Sequence, residues 1–169
     1  MRAWMNPAPE RKRNSPARLV NDVLRYADLR DMKALEELEA VCFAEHRYRQ
    51  EFLEWILKNP RTATLVWVES GRIAGSVMIL LENGQSRVLS VAVHPNHRRG
   101  GIGRRLMEAA ERVSRERGAT ATRLEVSTVN AAAIALYRGL GYKTDGVLPG
   151  YYSWGEDAYS MRKSLEPNA

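Results

Sequence analysis

The sequence is poor in groups that bind metals or cross-link chains. A single cysteine, Cys42, excludes an intrachain disulfide and any cysteine-cluster zinc site. The three histidines, His46, His94 and His97, lack metal-ligand spacing, so no metal is expected. No apolar run approaches the roughly 20 residues that a membrane helix needs, and the first residues lack the apolar centre of a secretory signal. No membrane association and a cytoplasmic location are therefore the expectations. Internal repeats are absent. There is no GxxxxGK[ST] phosphate loop. Nor is there a strand–GxGxxG–helix unit followed, about 20 residues on, by a ribose-binding acid. P-loop and dinucleotide folds are set aside on these grounds.

The chain is long enough, at 169 residues, for one domain with a sizeable core. Its net charge of +6 is unevenly spread. Residues 1–18 carry Arg2, Arg11, Lys12, Arg13 and Arg18 against Glu10, so most of the excess lies in this stretch. Three prolines and no periodicity mark it as a disordered basic leader. Residues 19–165 are the expected single domain and 166–169 a tail. A basic tail argues poorly for a nucleic-acid-binding domain, leaving ribosome contact by the leader as the one such role. Monomer and homodimer are both compatible with the sequence.

Pattern and punctuation predict the elements. Residues 20–26 read as a strand, and Asp28 or Asp31 caps a helix to about Cys42 with Met32, Leu35, Leu38, Val41 and Cys42 on its buried face. Cys42 on that face is core rather than nucleophile. A helix over residues 50–58 turns Phe52, Leu53, Ile56 and Leu57 inward and ends at Asn59-Pro60. Strands over 64–69, 72–81 and 87–93 form a meander through the tight turns Ser70-Gly71 and Asn83-Gly84. A helix over 101–117, stopped by Gly118, is followed by a strand over 124–127. A short helix over 130–140 and strands over 142–148 and 158–163 complete the chain.

The stretch 89–105, LSVAVHPNHRRGGIGRR, organises the rest. A strand, a proline turn and a glycine-rich corner run into a helix start. Acids normally occupy a first helical turn, yet here Arg98, Arg99, Arg104 and Arg105 precede the first acid, Glu108. That charge pattern is unfavourable unless an anion binds the free N–H groups. Gly100, Gly101 and Gly103 let the backbone approach such a ligand.

These residues resemble a known family. Arg98-Arg99-Gly100-Gly101-Ile102-Gly103 matches the [Q/R]-x-x-G-x-[G/A] signature of the GNAT superfamily of acetyl-CoA-dependent N-acetyltransferases. The stretch from Asn130 through Ala133, Leu136-Tyr137 and Gly141-Tyr142 matches its second pattern, N-x-x-[AS]-x-x-[LF]-Y-x-x-x-G-[FY]. The resemblance covers residues 21–165. Leu124-Glu125-Val126, Asn130, Tyr151-Tyr152 and Gly155-Glu156-Asp157-Ala158 are similar to RimI-like enzymes, which acetylate protein N-terminal α-amines. Phe43-Ala44-Glu45-His46-Arg47-Tyr48 departs from the Phe-Pro-x-x entry of that subgroup. The implied fold is α/β (α+β), a mixed central sheet of about seven strands with a splay between strands 4 and 5, flanked by about four helices.

The resemblance also implies roles. Acetyl passes from acetyl-CoA directly to an amine, with no covalent enzyme intermediate. Val91, Ala92 and Val93 hold the pantetheine arm and the thioester through backbone N–H groups. Arg98, Arg99, Gly100, Gly101, Ile102, Gly103 and Arg104 hold the diphosphate. Glu125 is the base, directly or through a water, although strand alternation alone equally permits a solvated strand-end acid. Tyr137 is the acid for the leaving thiolate, and Asn130, seven residues earlier on the same helix face, joins it at the cofactor while capping the helix. Phe43, Tyr48, Tyr151 and Tyr152 line the acceptor. That acceptor is a protein or peptide N-terminal amine. The alternatives are a small amine (an antibiotic, a polyamine or an amino acid) and a non-catalytic acetyl-CoA-binding module.

Overall fold

The computed structural model describes residues 2–3 and 22–166. The rest of the sequence-predicted leader and the end of the tail lie outside the described residues. Seven strands form the main sheet: β1 (Val23–Tyr26), β2 (Thr62–Glu69), β3 (Arg72–Glu82), β4 (Gln85–Val93), β5 (Ala121–Ser127), β6 (Lys143–Leu148) and β7 (Ala158–Ser164). The helices are α1 (Met32–Phe43), α2 (Gln50–Lys58), α3 (Ile102–Glu116) and α4 (Ala131–Gly139). Strand order is β1-β2-β3-β4-β5-β7-β6, with β4 and β5 parallel and the other neighbours antiparallel. Arg2–Ala3, read from sequence as part of a disordered leader, forms a further two-residue strand parallel to β4. Among the described residues no helix is long and apolar enough to cross a membrane.

Local chemistry accounts for the meander. Both hairpin turns place two residues in the left-handed region: Ser70 and Gly71 at φ 51° and 76°, Asn83 and Gly84 at 51° and 73°. Such turns match the twist of the flanking strands. Strand β3 is buried continuously from Ala74 to Leu80, as a strand covered on both faces must be. Its alternate residues serve two cores. Val77 and Ile79 pack with Leu65, Trp67, Leu106, Met107 and Tyr137 beneath α3 and α4. Met78 and Leu80 pack with Leu35, Leu53, Ile56, Val66 and Leu89 beneath α1 and α2. Each fully buried aliphatic side chain contributes roughly 1.5–3 kcal/mol.

Periodicity misplaces a few residues. Val41 is exposed, Cys42 is half-buried, and Glu39 takes a buried place on α1 beside Leu35 and Leu38. Asp28 caps not α1 but the single 3-10 turn before it, in a reciprocal capping box with Asp31. On α2, Phe52 faces outward and stacks on Trp55 at 5.5 Å.

Two features of the sheet prepare the site. In β4, Val88 lies opposite Ile79 and Ser90 opposite Met78, so Leu89 is an extra residue, a β-bulge. A bulge bends its strand, and pairing between β4 and β5 runs only from Gln85↔Ala121 to Arg87↔Arg123. Beyond that point the two strands part. The second feature is Gly75 of β3, opposite Val93. A Cβ there would stand 3.0 Å from the Ala92 carbonyl oxygen, Ile102 Cγ2 and Leu106 Cδ1. The glycine lets the first turns of α3 settle onto the end of β4. Gly75→Ala is expected to cost about 1–3 kcal/mol by overpacking. A thermal melt should drop by roughly 2–10 °C, and an unchanged melt would show that α3 does not depend on this close approach.

Candidate active site

The parted strands present one edge of β4. Val91, Ala92 and Val93 are fully buried and pair on their other side with Val77, Ser76 and Gly75. In this structure Arg2 lies opposite Ser90 and Ala3 opposite Val91 along the free edge. The chain then turns through Pro95 to the start of α3. Gly101 is the N-cap at φ 83°, Arg99 before it is at φ 61°, and no acid occupies the first turn. The orphan N–H groups and the positive end of the helix dipole lie at the first turn, from Gly101 on, and Gly100 and Gly101 are exposed. Ile102 and Gly103 are buried beneath them.

The arginines of this corner diverge. Arg99 is exposed. Arg98 turns back toward β4, donating from Nε to the Val93 carbonyl at 2.9 Å, with Nη2 3.8 Å from Cys42 Sγ. Arg104 lies 3.7 Å from Glu108, and the Arg105 guanidinium sits 5.2 Å from the Trp67 ring centre. Burial raises the Cys42 thiol to about 11, with Arg98 opposing the rise. Cys42 is thus a protonated packing residue that donates to the Val93 carbonyl.

Glu125 stands on the β5 side of the gap. It is 5% exposed, so it is not a solvated strand-end acid. Its neighbours Leu124 and Val126 are in the core. Arg87, on the last paired step of β4, holds Glu125 Oε2 through Nη2 at 3.1 Å and Nε at 3.2 Å. The same guanidinium donates to the Tyr151 hydroxyl at 2.8 Å. Burial, then the charge of Glu125, pushes the Tyr151 hydroxyl above its ordinary value, against the pull of Arg87.

Helix α4 carries Asn130 and Tyr137. The Asn130 side chain accepts from the Ala133 N–H at 3.2 Å, a helix cap. Tyr137 is 0% exposed and meets Tyr142 edge-on at 5.9 Å. Burial, then the nearby Tyr142 and Tyr152, raises its hydroxyl well above the usual tyrosine value.

The opposite wall comes from two loops. Phe43 ends α1, and Tyr48 lies in the connection to α2, its hydroxyl donating to the carbonyl of the bulge residue Leu89 at 2.9 Å. Tyr152 is buried and stacks on Trp154 at 4.6 Å, and Trp154 stacks on His46 at 3.8 Å. The α1–α2 connection and the β6–β7 loop therefore touch through stacked rings. His97 pairs with Glu69, and His94 accepts from the Asn96 N–H.

Sequence reasoning missed Glu39, His46, Arg87 and Trp154. Glu39 left a signal, as an acid interrupting the apolar face of α1. Arg87 stood in view as a charged residue in an apolar strand. The stacking of His46 on Trp154 had no sequence signal, since it joins distant loops.

A strand pair opened by a bulge, beside a glycine-capped helix that lacks acids in its first turn, defines the acyl-CoA N-acyltransferase class. The chain belongs to the acetyltransferase (GNAT) family, whose model matches residues 18–142. It is 34% identical over 149 residues to the N-terminal acetyltransferase A complex catalytic subunit NAA10 of Arabidopsis thaliana, covering 85% of this chain and 78% of that protein. An N-alpha-acetyltransferase of Sulfurisphaera tokodaii is 34% identical over 155 residues, covering 84% of this chain and 92% of the relative. The crystal structure of the ribosomal-protein-S18-alanine N-acetyltransferase from Escherichia coli superposes with a TM-score of 0.80 at 25% identity, covering 88% of this chain and 96% of that one. The expected sheet of seven strands, four helices and a splay between strands 4 and 5 is the observed one. The chain is an N-acetyltransferase.

Proposed function

We propose that this enzyme transfers the acetyl group of acetyl-CoA to the N-terminal α-amine of a protein or peptide. The observation that carries the reading is a pair of features on either side of the parted strands. One is the opened edge of β4 with the acid-free start of α3. The other is the ring-rich wall where the α1–α2 connection meets the β6–β7 loop. The relatives named for N-terminal acetylation support the same acceptor.

The residues present fit the donor. The exposed glycines Gly100 and Gly101 at the start of α3 and the side chain of Arg99 suit a diphosphate. The free edge of β4 suits an extended amide-bearing arm, because a two-residue strand already lies along it. Bound acetyl-CoA supplies an activated thioester. Backbone N–H groups at 91–93 would stabilise negative charge developing on the carbonyl oxygen. Glu125 accepts the proton of the attacking amine, directly or through a water. Arg87 fixes the position of that carboxylate. Tyr137, kept protonated by its burial, gives a proton to the departing sulfur. Asn130 holds the start of α4 and thereby the place of Tyr137.

The acceptor must be neutral to attack, and an α-amine titrates near about 7.7–8.0. Tyr137 is shifted upward, so its ionisation lies above the ordinary value of about 10. The value of kcat/KM should rise through about pH 8 and stay level toward pH 10. A fall beginning near pH 9 would contradict the assignment of a raised Tyr137 as the proton donor. The acceptor itself is tested by thiol release from acetyl-CoA against free-N-terminus peptides and a panel of aminoglycosides, polyamines and amino acids. Peptides should be turned over and the small amines should not. The reverse order would overturn the proposal.

A further inference from the structure

The side chain of Arg2 occupies a chamber shaped for a guanidinium. Its Cζ stands 3.5 Å from the centre of the Tyr48 ring and 4.2 Å from that of Phe43. Nη2 lies 2.5 Å from Glu39 Oε2, and Nη1 donates to the His46 carbonyl. Two rings and a carboxylate around a planar cation suit arginine better than lysine, whose compact ammonium lacks the flat face and the fork.

The chamber is held by contacts that do not involve Arg2. Tyr48 is fixed at both ends, by its hydroxyl on the Leu89 carbonyl and by its N–H on Glu39 Oε2 at 2.8 Å. Glu39 Oε1 accepts from the Ser90 hydroxyl at 3.4 Å. Phe43 follows Glu39 by one turn of α1. Glu39 is 1% exposed, and among the described residues Arg2 is the one cation paired with it. A buried carboxylate with only neutral partners is strongly disfavoured, so this pocket calls for a positive occupant.

Its position ties it to the transfer centre. Arg2 lies opposite Ser90, one residue before the stretch 91–93, and Arg2–Ala3 runs along the β4 edge assigned above to the donor. When the donor takes that edge, residues 2–3 leave it, and the released Arg2 side chain competes with other cations for Glu39. We propose that Glu39, Phe43, Tyr48 and the His46 carbonyl form an acceptor subsite for an arginine side chain at the N-terminus of the substrate peptide, a subsite that the chain's own Arg2 fills in this structure. The proposal rests on the peptide reading of the acceptor.

The test uses the full chain and its Arg2→Ala variant with heptapeptides carrying arginine or citrulline at residue 1 or residue 2. Citrulline has the same shape without the charge. At one of these positions arginine should exceed citrulline at least tenfold in kcat/KM, the difference lying in KM. Arg2→Ala should lower KM for the arginine peptide at least threefold, because it removes an internal competitor. Glu39→Gln should bring the arginine-to-citrulline ratio close to one. If that variant does not fold by circular dichroism, Phe43→Leu replaces it and should cut the ratio severalfold. A ratio near one at both positions on both enzymes overturns the subsite. So does a ratio that survives Glu39→Gln or Phe43→Leu. An unchanged KM on Arg2→Ala overturns the shared pocket. Fluorescence anisotropy of labelled peptides reads binding without turnover. A protein that acetylates no peptide α-amine contradicts the proposed function, while its relative affinity for arginine and citrulline peptides still decides the pocket.

Discussion

Replacement of Tyr137 by phenylalanine is expected to lower kcat about 10²- to 10⁴-fold, the usual range for loss of a positioned acid. The barrier rises by about 2.7–5.4 kcal/mol. The variant should fold, because phenylalanine keeps the ring that fills the core beneath α4 and meets Tyr142 edge-on. The lost hydroxyl costs about 0.5–1.5 kcal/mol of stability, the net worth of one hydrogen bond. KM for acetyl-CoA should stay within about twofold, since the hydroxyl acts on the departing sulfur and binds the ground state little. The cause lies in placement. Full burial keeps the phenol protonated, so it remains a donor across the working range. A kcat within threefold of the parent would remove Tyr137 from the mechanism and leave it as packing.

Glu125→Gln should lower kcat/KM by a comparable 10²- to 10⁴-fold or so. Glutamine preserves volume and a hydrogen-bond acceptor for Arg87, while the base is gone. Glu125→Ala is a poorer probe, because it leaves the Arg87 guanidinium partly buried with only Tyr151 to meet it. Neither Glu125→Gln nor Tyr137→Phe should move the acid limb of kcat/KM, because that limb belongs to the acceptor amine. A Glu125→Gln enzyme with parental kcat/KM at pH 7 would show that the amine loses its proton elsewhere.

What could be read from the sequence was local. The end of α2 and both two-residue turns follow from breakers and left-handed residues within a few positions. The α3 start was legible because glycines and arginines stand where acids belong. Asn130 and Tyr137 stood out because they match the family's second pattern, and their seven-residue spacing puts them on one helix face. The bulge at Leu89 was not, since it exists only in the register of β4 against β3. Val41 fitted the apolar spacing of α1 yet is exposed, and Glu39 broke that spacing yet is buried, because its charge is met by Arg2, far away in sequence. Arg2–Ala3 gives no periodic signal in two residues, and its order comes from an edge that β4 offers only after it leaves β5. Arg98 matched its motif position, but its side chain turns back to the Val93 carbonyl and Cys42.

These elements meet in one function. The bulge opens the strands, Gly75 seats α3 at the end of β4, Glu125 stands on β5 beside the gap, and α4 carries a buried tyrosine. The measurement that bears on this most directly is fragment-ion mass spectrometry of a peptide with a free N-terminus and an internal lysine, incubated with acetyl-CoA and either the parent enzyme or Glu125→Gln. Acetyl found on the α-nitrogen of residue 1 with the parent, and strongly reduced with the variant, is the expected result. Acetyl found only on the lysine, or equal labelling by both enzymes, would contradict it.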